Sequence, residues 1–271
     1  MGFSALRKFM RLSKPITLIK GKEFSTSLNL IEIDITYECN LKCFNCDRSC
    51  RQAPSNDKIS IQQIKKFIEQ SLKQCINWKR IRLLGGEPLL HPQINEIFEL
   101  FIDYKEKGNN DVELEIVTNG LGSLVKQRLR EIPNQFKIKN TEKIGHYQEK
   151  FEAFNLAPKD QKKYFMTDYT NGCWITSYCG LGLNSFGFYP CGVAGAIDRV
   201  MGYDIGQKNL PLNEALLNKQ KKKICALCGH FHNRNFVSIS ERIPVCGEPR
   251  SKSWVEAYKK YQIKPPKLNF Y

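Results

Sequence analysis

Three cysteines, Cys39, Cys43 and Cys46, stand in the spacing CxxxCxxC directly after the apolar run Leu30–Thr36. Three thiolates so close together suit a metal group, and three is one fewer than a four-iron cluster needs to close every iron. A metal site that does chemistry keeps one position open for water or substrate, so the fourth iron of such a cluster would be available to a small molecule. A zinc knuckle is the other reading of the triad alone, with Cys50 as a fourth ligand. A second feature, Gly85-Gly86-Glu87-Pro88, follows the apolar residues 81–84. A further cysteine set, Cys173, Cys179, Cys191, Cys225, Cys228 and Cys246, occupies the C-terminal part of the chain.

These residues need elements to position them. Leu30, Glu32 and Asp34 alternate with Ile31, Ile33 and Ile35, the period of a strand. Ser60 and Gln63 form a capping box before Ile61, Ile64, Phe67, Ile68, Leu72 and Ile76, which share one helical face. Residues 81–84 make a second strand, and Pro92 suits the first turn of a helix carrying Ile94, Ile97, Phe98 and Phe101. A third strand, 112–118, ends at Asn119-Gly120; a short helix with Leu124, Val125 and Leu129 stops near Pro133, and a fourth strand covers 136–139. Alternating strands and helices predict a parallel sheet with right-handed crossovers. Ligands of such sheets sit beyond the carboxyl ends of the strands, where Cys39, Gly86, Asn119 and Asn140 all fall.

The triad after the first strand and Gly-Gly-Glu-Pro after the second resemble the radical S-adenosylmethionine (SAM) superfamily. The resemblance implies an α/β fold, a partial parallel (β/α)6-type radical SAM barrel with a small C-terminal cysteine-rich β-hairpin/helix module. It implies that Cys39, Cys43 and Cys46 hold a [4Fe-4S] cluster whose open iron binds S-adenosyl-L-methionine, giving a 5′-deoxyadenosyl radical on reduction. Gly85 and Gly86 would let the backbone approach the methionine end, Glu87 would accept a hydrogen bond from the SAM amino group, and Pro88 would stiffen the turn. Asn119 reads equally as a contact to SAM or substrate and as a turn-forming Asn-Gly; Asn140 and Thr141 are weaker ribose candidates. Asn45 stands where the family usually places a bulky apolar residue, with Phe44 one place earlier, and the family's GxIxGxxE pattern is not found.

The stretch from Cys179 to Cys191 reads as a hairpin, with Leu181 and Leu183, a turn near Asn184-Ser185, then residues 186–189. A cysteine before such a hairpin, one at its end, and the later Cys225-Ala-Leu-Cys228 resemble the SPASM and shorter twitch modules of the superfamily, which hold auxiliary [4Fe-4S] clusters. The resemblance implies one auxiliary cluster on Cys179, Cys191, Cys225 and Cys228, with Cys173 or Cys246 as replacements for the first ligand. A structural zinc ribbon, with His230 and His232 beside the CxxC, stays open. Thiols left over, among Cys50, Cys75, Cys173 and Cys246, are either hydrogen-atom donors or ordinary small buried side chains.

The expected organisation of the 271 residues is a basic N-terminal extension (1–24), a radical SAM core (25–172), the auxiliary-cluster module (173–250) and a basic C-terminal tail (251–271), whose proline-bearing part, 258–271, is expected at the surface. The extension, with Phe3, Leu6, Phe9, Met10 and Leu12 among Arg7, Lys8, Arg11 and Lys14, suits either a membrane-surface helix or a docking segment. A Leu at position 6 speaks against myristoylation of Gly2. Thiols in metal-ligand clusters, no cleavable signal and no apolar run long enough to span a bilayer point to a soluble cytoplasmic protein. A net charge of +15 favours acidic partners, from nucleotide-linked metabolites to an electron donor of the flavodoxin or ferredoxin type. The expected substrate is a sugar, a nucleotide-linked compound or another small molecule undergoing oxidation, epimerisation or decarboxylation. The alternatives are maturation of a ribosomally made peptide and, in another class, a non-catalytic zinc or iron-sulfur protein that binds nucleic acid.

Overall fold

A computed structural model describes residues 9–141, 143, 153–235 and 248–271. In chain order the elements are α1 (Lys14–Lys20), β1 (Leu30–Thr36), α2 (Ile61–Lys73), β2 (Arg80–Gly85), α3 (Ile94–Gly108), β3 (Glu113–Thr118), α4 (Ser123–Leu129) and β4 (Phe136–Asn140). There follow α5 (Trp174–Tyr178), β5 (Leu181–Asn184), β6 (Gly187–Tyr189), α6 (Gly192–Met201), α7 (Asn218–Ile224) and α8 (Lys252–Ile263). The strands form one open six-stranded sheet in the order β4-β3-β2-β1-β5-β6. All neighbours are parallel except β5 and β6.

The alternation seen in the sequence divides the two faces. Ile31, Ile33 and Ile35 of β1, Ile81 and Leu83 of β2, and Leu114 and Ile116 of β3 are buried in the main core with Ile64, Phe67, Ile97 and Phe101 from α2 and α3. The opposite face carries Glu32, Asp34, Arg82 and Glu115, also buried. The capping box at α2 is present: Gln63 N–H donates to Ser60 Oγ at 3.2 Å, and Ser60 N–H donates to Gln63 Oε1 at 2.8 Å.

Two segments sit differently from expectation. The hairpin expected to open a separate module extends the main sheet instead, because β5 pairs in parallel with β1 through Ile31↔Leu181, Glu32↔Gly182 and Ile33↔Leu183. Gly180 permits this closeness: a Cβ on it would stand 2.0 Å from Leu30 O, whereas one on Gly182 would meet Cys191 O at 2.4 Å. The segment expected as a basic C-terminal tail contains α8, whose Trp254, Tyr258 and Tyr261 follow the i, i+4, i+7 spacing of one helical face and are buried. Beyond it, the Tyr271 ring meets Phe188 at 5.1 Å, and Tyr271 N–H donates to Ser185 O at 2.9 Å. Of the N-terminal extension, Leu12 docks with Tyr164, Cys225 and Phe231, while Leu18 and Ile19 are exposed. Phe3, Leu6, Arg7 and Lys8 lie outside the described residues. Among those described, no helix is long and apolar enough to cross a membrane.

Candidate functional site

Where β1 ends, the triad loop begins and meets the end of β2 backbone to backbone. Gly86 N–H donates to Thr36 O at 2.7 Å and Glu87 N–H to Glu38 O at 2.9 Å. A Cβ on Gly85, where φ is +140°, would lie 2.2 Å from Thr36 O; one on Gly86 would lie 2.3 Å from Glu38 O and 3.0 Å from Cys39 Cβ. The glycine pair is therefore required by the approach of the triad strand itself, whatever ligand is bound.

Cys43 is buried, and Cys39 and Cys46 are half-buried. Burial pushes Cys39 up to about 12, whereas a hydrogen bond from the Cys50 thiol brings Cys46 down to about 7. Cys50 thus supports a neighbouring thiolate, the form in which cysteine binds metal. Lys143 Nζ lies 3.7 Å from Cys43 Sγ. Burial opposes its charge, but the surrounding Cys43, Cys46, Asp47 and Cys39 raise its pKa. Asn45, in the left-handed region at φ +47°, donates its N–H to Glu248 Oε1 at 3.1 Å. Its side-chain amide is fully buried and has no partner for either atom.

Glu87 ties this loop to β3. Its carboxylate accepts from Leu89 N–H at 3.2 Å, Thr118 Oγ1 at 2.7 Å and Asn119 N–H at 2.7 Å, and burial raises its pKa despite these donors. Asn119 serves both roles of a turn residue and a bridge: Oδ1 accepts from Leu121 N–H at 2.8 Å, and Nδ2 donates to Asn40 Oδ1 at 2.9 Å inside the triad loop. Asn140 packs against the same turn, since a Cβ on Gly120 would meet its amide at 2.6 Å. Thr141 Oγ1 donates to Thr118 O at 3.1 Å.

The polar face of the sheet lines an open cavity of about 230 Å³ that the sequence does not reveal. Register places Glu32, Arg82 and Glu115 side by side on β1, β2 and β3. Arg82 Nη1 donates to Glu32 Oε1 at 2.8 Å and Nη2 to Glu115 Oε2 at 3.1 Å. Arg48, two residues beyond Cys46, donates to Glu32 Oε2 at 3.3 Å, Asp34 Oδ1 at 3.1 Å and Asp47 Oδ2 at 2.9 Å. Burial lifts Asp34 to about 6, with Arg48 pulling the other way. For Asp47 burial also works against the charge, but Arg48 and His230 prevail and its pKa is lowered. Lys139, Trp174 and Cys179 also line the cavity. The available signal was a strand with charges at alternate positions and isoleucines between them.

The C-terminal thiols divide into two groups. Cys173, Cys191, Cys225 and Cys228 line one small pocket. Burial, then the neighbouring thiols, hold Cys191 and Cys228 high: Cys173 acts on Cys191, and Cys173, Cys191 and Cys225 all act on Cys228. Burial and then Cys191 push Cys225 to about 12. Cys179 does not line this pocket; it opens on the polar cavity beside Glu32. The structure thus brings Cys173 to the place expected of Cys179. The reason is α5, which starts directly after Cys173 and ends directly before Cys179, so that its five residues separate the two thiols. Ile175 and Val193 line both cavities and separate them. Cys246 lies outside the described residues, as does any role for it; Cys75 is exposed. Among the described residues no three Cys, His, Asp or Glu side chains stand close enough to share a single metal ion.

The profile of the Radical SAM superfamily matches residues 33–135. The chain carries a radical SAM domain. The GTP 3′,8-cyclase of Aliarcobacter butzleri is 30% identical over 105 residues, covering 38% of this chain and 30% of that protein. That of Campylobacter jejuni subsp. doylei is 28% identical over 114 residues, covering 41% and 33%. The chain therefore spans about a third of the length of these curated relatives. Among solved structures, BtrN in complex with AdoMet and 2-DOIA superposes with a TM-score of 0.43 at 13% identity, covering 77% of this chain and 90% of that one. BtrN in an open conformation gives 0.42 at 16% identity, covering 86% and 99%.

The radical SAM match ends before β4 and leaves the second thiol set outside it. It contains the triad, the glycine pair, Glu87 and Asn119, together with Glu32's neighbours Arg48 and Arg82. One wall of the polar cavity thus belongs to the radical SAM domain and the other, with Trp174, Cys179 and Val193, to the segment that follows.

Proposed function

We propose that this chain is a radical SAM enzyme that abstracts hydrogen from a small polar substrate, a sugar or nucleotide-linked compound, held in the mixed-charge cavity. The observation that carries the reading is that one cavity is lined both by Asp47 and Arg48, directly after the last triad cysteine, and by Ile175 and Val193, which also line the four-thiol pocket. When bound, a [4Fe-4S] cluster and SAM supply a 5′-deoxyadenosyl radical.

The residues present suit these groups. Cys39, Cys43 and Cys46 offer three soft donors, and Lys143 offsets their charge. The buried amide of Asn45, unsatisfied at both atoms, offers a donor and an acceptor to the adenine of SAM. Glu87 retains acceptor capacity for the SAM amino group beyond its three internal donors, and Asn119 braces the triad loop through Asn40. Cys173, Cys191, Cys225 and Cys228, which line one pocket, are the set for an auxiliary [4Fe-4S] cluster.

For the substrate, Arg48, Arg82 and Lys139 present donors and Glu32 and Asp47 acceptors beside an apolar wall of Leu84, Val117, Trp174, Ile175 and Val193, a lining that suits a compound with both polar groups and an apolar face. The relatives' name, GTP 3′,8-cyclase, agrees with a nucleotide-linked compound. A net charge of +15 suits both this substrate class and an acidic flavodoxin- or ferredoxin-type electron donor.

The test is anaerobic reconstitution of the chain followed by iron, sulfide and zinc analysis and dithionite-driven cleavage of SAM. About eight irons per chain and release of 5′-deoxyadenosine are expected. Zinc in the C-terminal set would overturn the auxiliary cluster, and no 5′-deoxyadenosine would overturn the enzyme.

A further inference from the structure

Arg199, near the end of α6, is buried at 2% exposure. Its guanidinium reaches the segment that follows the triad: Nη2 donates to Arg48 O at 3.0 Å and Nη1 to Ala53 O at 2.8 Å. Nη1 also donates to the Tyr261 hydroxyl of α8 at 2.9 Å, and the group lies over the ring of Tyr37, two residues before Cys39, at 4.3 Å. Ala196, one turn earlier on α6, packs with Tyr37, Cys50, Cys39 and Cys46. Every acceptor of Arg199 is neutral. Among the described residues it enters no ion pair, since Asp34 and Asp47 are committed to Arg48, and Asp198 accepts from the Tyr189 hydroxyl at 2.8 Å.

A cation taken out of water without a countercharge is strongly unfavourable, so an anionic group belongs within its reach. The thiols are placed to supply one. The Cys50 thiol, held up by its bond to Cys46 and by burial, is pulled the other way by Arg199, so the field of the guanidinium extends to the triad. A [4Fe-4S] cluster on three thiolates is an anion and becomes more negative on reduction. We propose that Arg199 is a positioning residue for that cluster, tying down the loop after Cys46 and supplying the buried countercharge that makes reduction easier. This rests on the radical SAM reading above and adds to it a residue from outside the matched domain. At an effective dielectric of about 20, a unit charge changes a one-electron equilibrium about tenfold from as far as about 12 Å.

The test is a redox titration, not turnover. The full chain, anaerobically reconstituted, is poised with dithionite, which gives one electron to each cluster, and the reduced triad cluster is read by electron paramagnetic resonance as the signal that SAM alters. At a fixed potential the reduced-to-oxidised ratio falls about tenfold in Arg199→Gln, a shift of about 59 mV to lower potential. In Arg199→Lys, which keeps the charge but not the fork, the ratio stays within about twofold of wild type. Should Arg199→Gln lose its cluster while Arg199→Lys keeps it, the countercharge is needed for loading, which also supports the proposal. An unchanged ratio in Arg199→Gln would overturn it. An equal fall in both variants, or loss of iron from both, would overturn it too, leaving Arg199 a structural tie alone. Failure of the wild type to give any SAM-sensitive signal would instead overturn the radical reading and this role with it.

Discussion

Replacing Gly85 by alanine separates two reasons for a glycine at the end of β2. If the glycine serves only the approach of a ligand, the ligand-free chain should tolerate a methyl group. The structure puts that methyl 2.2 Å from Thr36 O, an atom that already accepts from Gly86 N–H at 2.7 Å, and asks alanine to adopt φ +140°. Backbone held in that region costs roughly 1–3 kcal/mol, and forcing an extra methyl against packed atoms costs roughly 1–3 kcal/mol more. The two together come to roughly 2–5 kcal/mol when relaxation is shared between them. At roughly 2 °C per kcal/mol for a chain of this size, the midpoint of thermal unfolding should fall by roughly 4–10 °C. Circular dichroism on the metal-free, SAM-free chain measures it. A midpoint within about 1 °C of wild type, or a defect that emerges only when SAM is added, would refute the backbone argument.

Arg82→Leu should destabilise the chain by about 3–5 kcal/mol, since Glu115, 6% exposed, would lose its Arg82 partner and Glu32 would keep Arg48 alone; urea unfolding tests this, and a loss under about 1 kcal/mol would mean that water reaches the row. Asp34 provides a pH test. Its folded pKa, lifted to about 6, lies above the unfolded value, so the native state binds the extra proton between the two. The resulting stability is present at low pH and lost as pH rises through about 6, worth roughly 1–3 kcal/mol. Asp34→Asn should therefore gain on the wild type between about pH 4 and 6 in thermal scans and keep that gain above it, and a difference between the two that is independent of pH would contradict it.

Local pattern was enough to read the elements around the triad. Alternation in β1, the Ser60 and Gln63 box, and the helical spacing of Ile94, Ile97, Phe98 and Phe101 each arise from neighbours within a few residues. The same kind of spacing, Trp254, Tyr258 and Tyr261, lies in the last segment, where basic residues and prolines around it suggest a solvated tail. Glu32, Arg82 and Glu115 could not be read as a row, because their pairing depends on the register of three strands separated by two helices.

The choice between Cys173 and Cys179 has the same cause. Their spacing to Cys191 admits either, and only the placement of α5 against β1 sends one thiol to the four-cysteine pocket and the other to the polar cavity. By itself, the sequence determined the radical SAM domain, the parallel strands and the loop that carries Cys39, Cys43 and Cys46, since those follow from short-range periodicity and contiguous motifs. Tertiary structure alone decided that β5 joins the sheet, that the charged face encloses a cavity and which thiols share a pocket. Those outcomes depend on contacts between residues far apart in the chain, whose geometry local spacing does not encode.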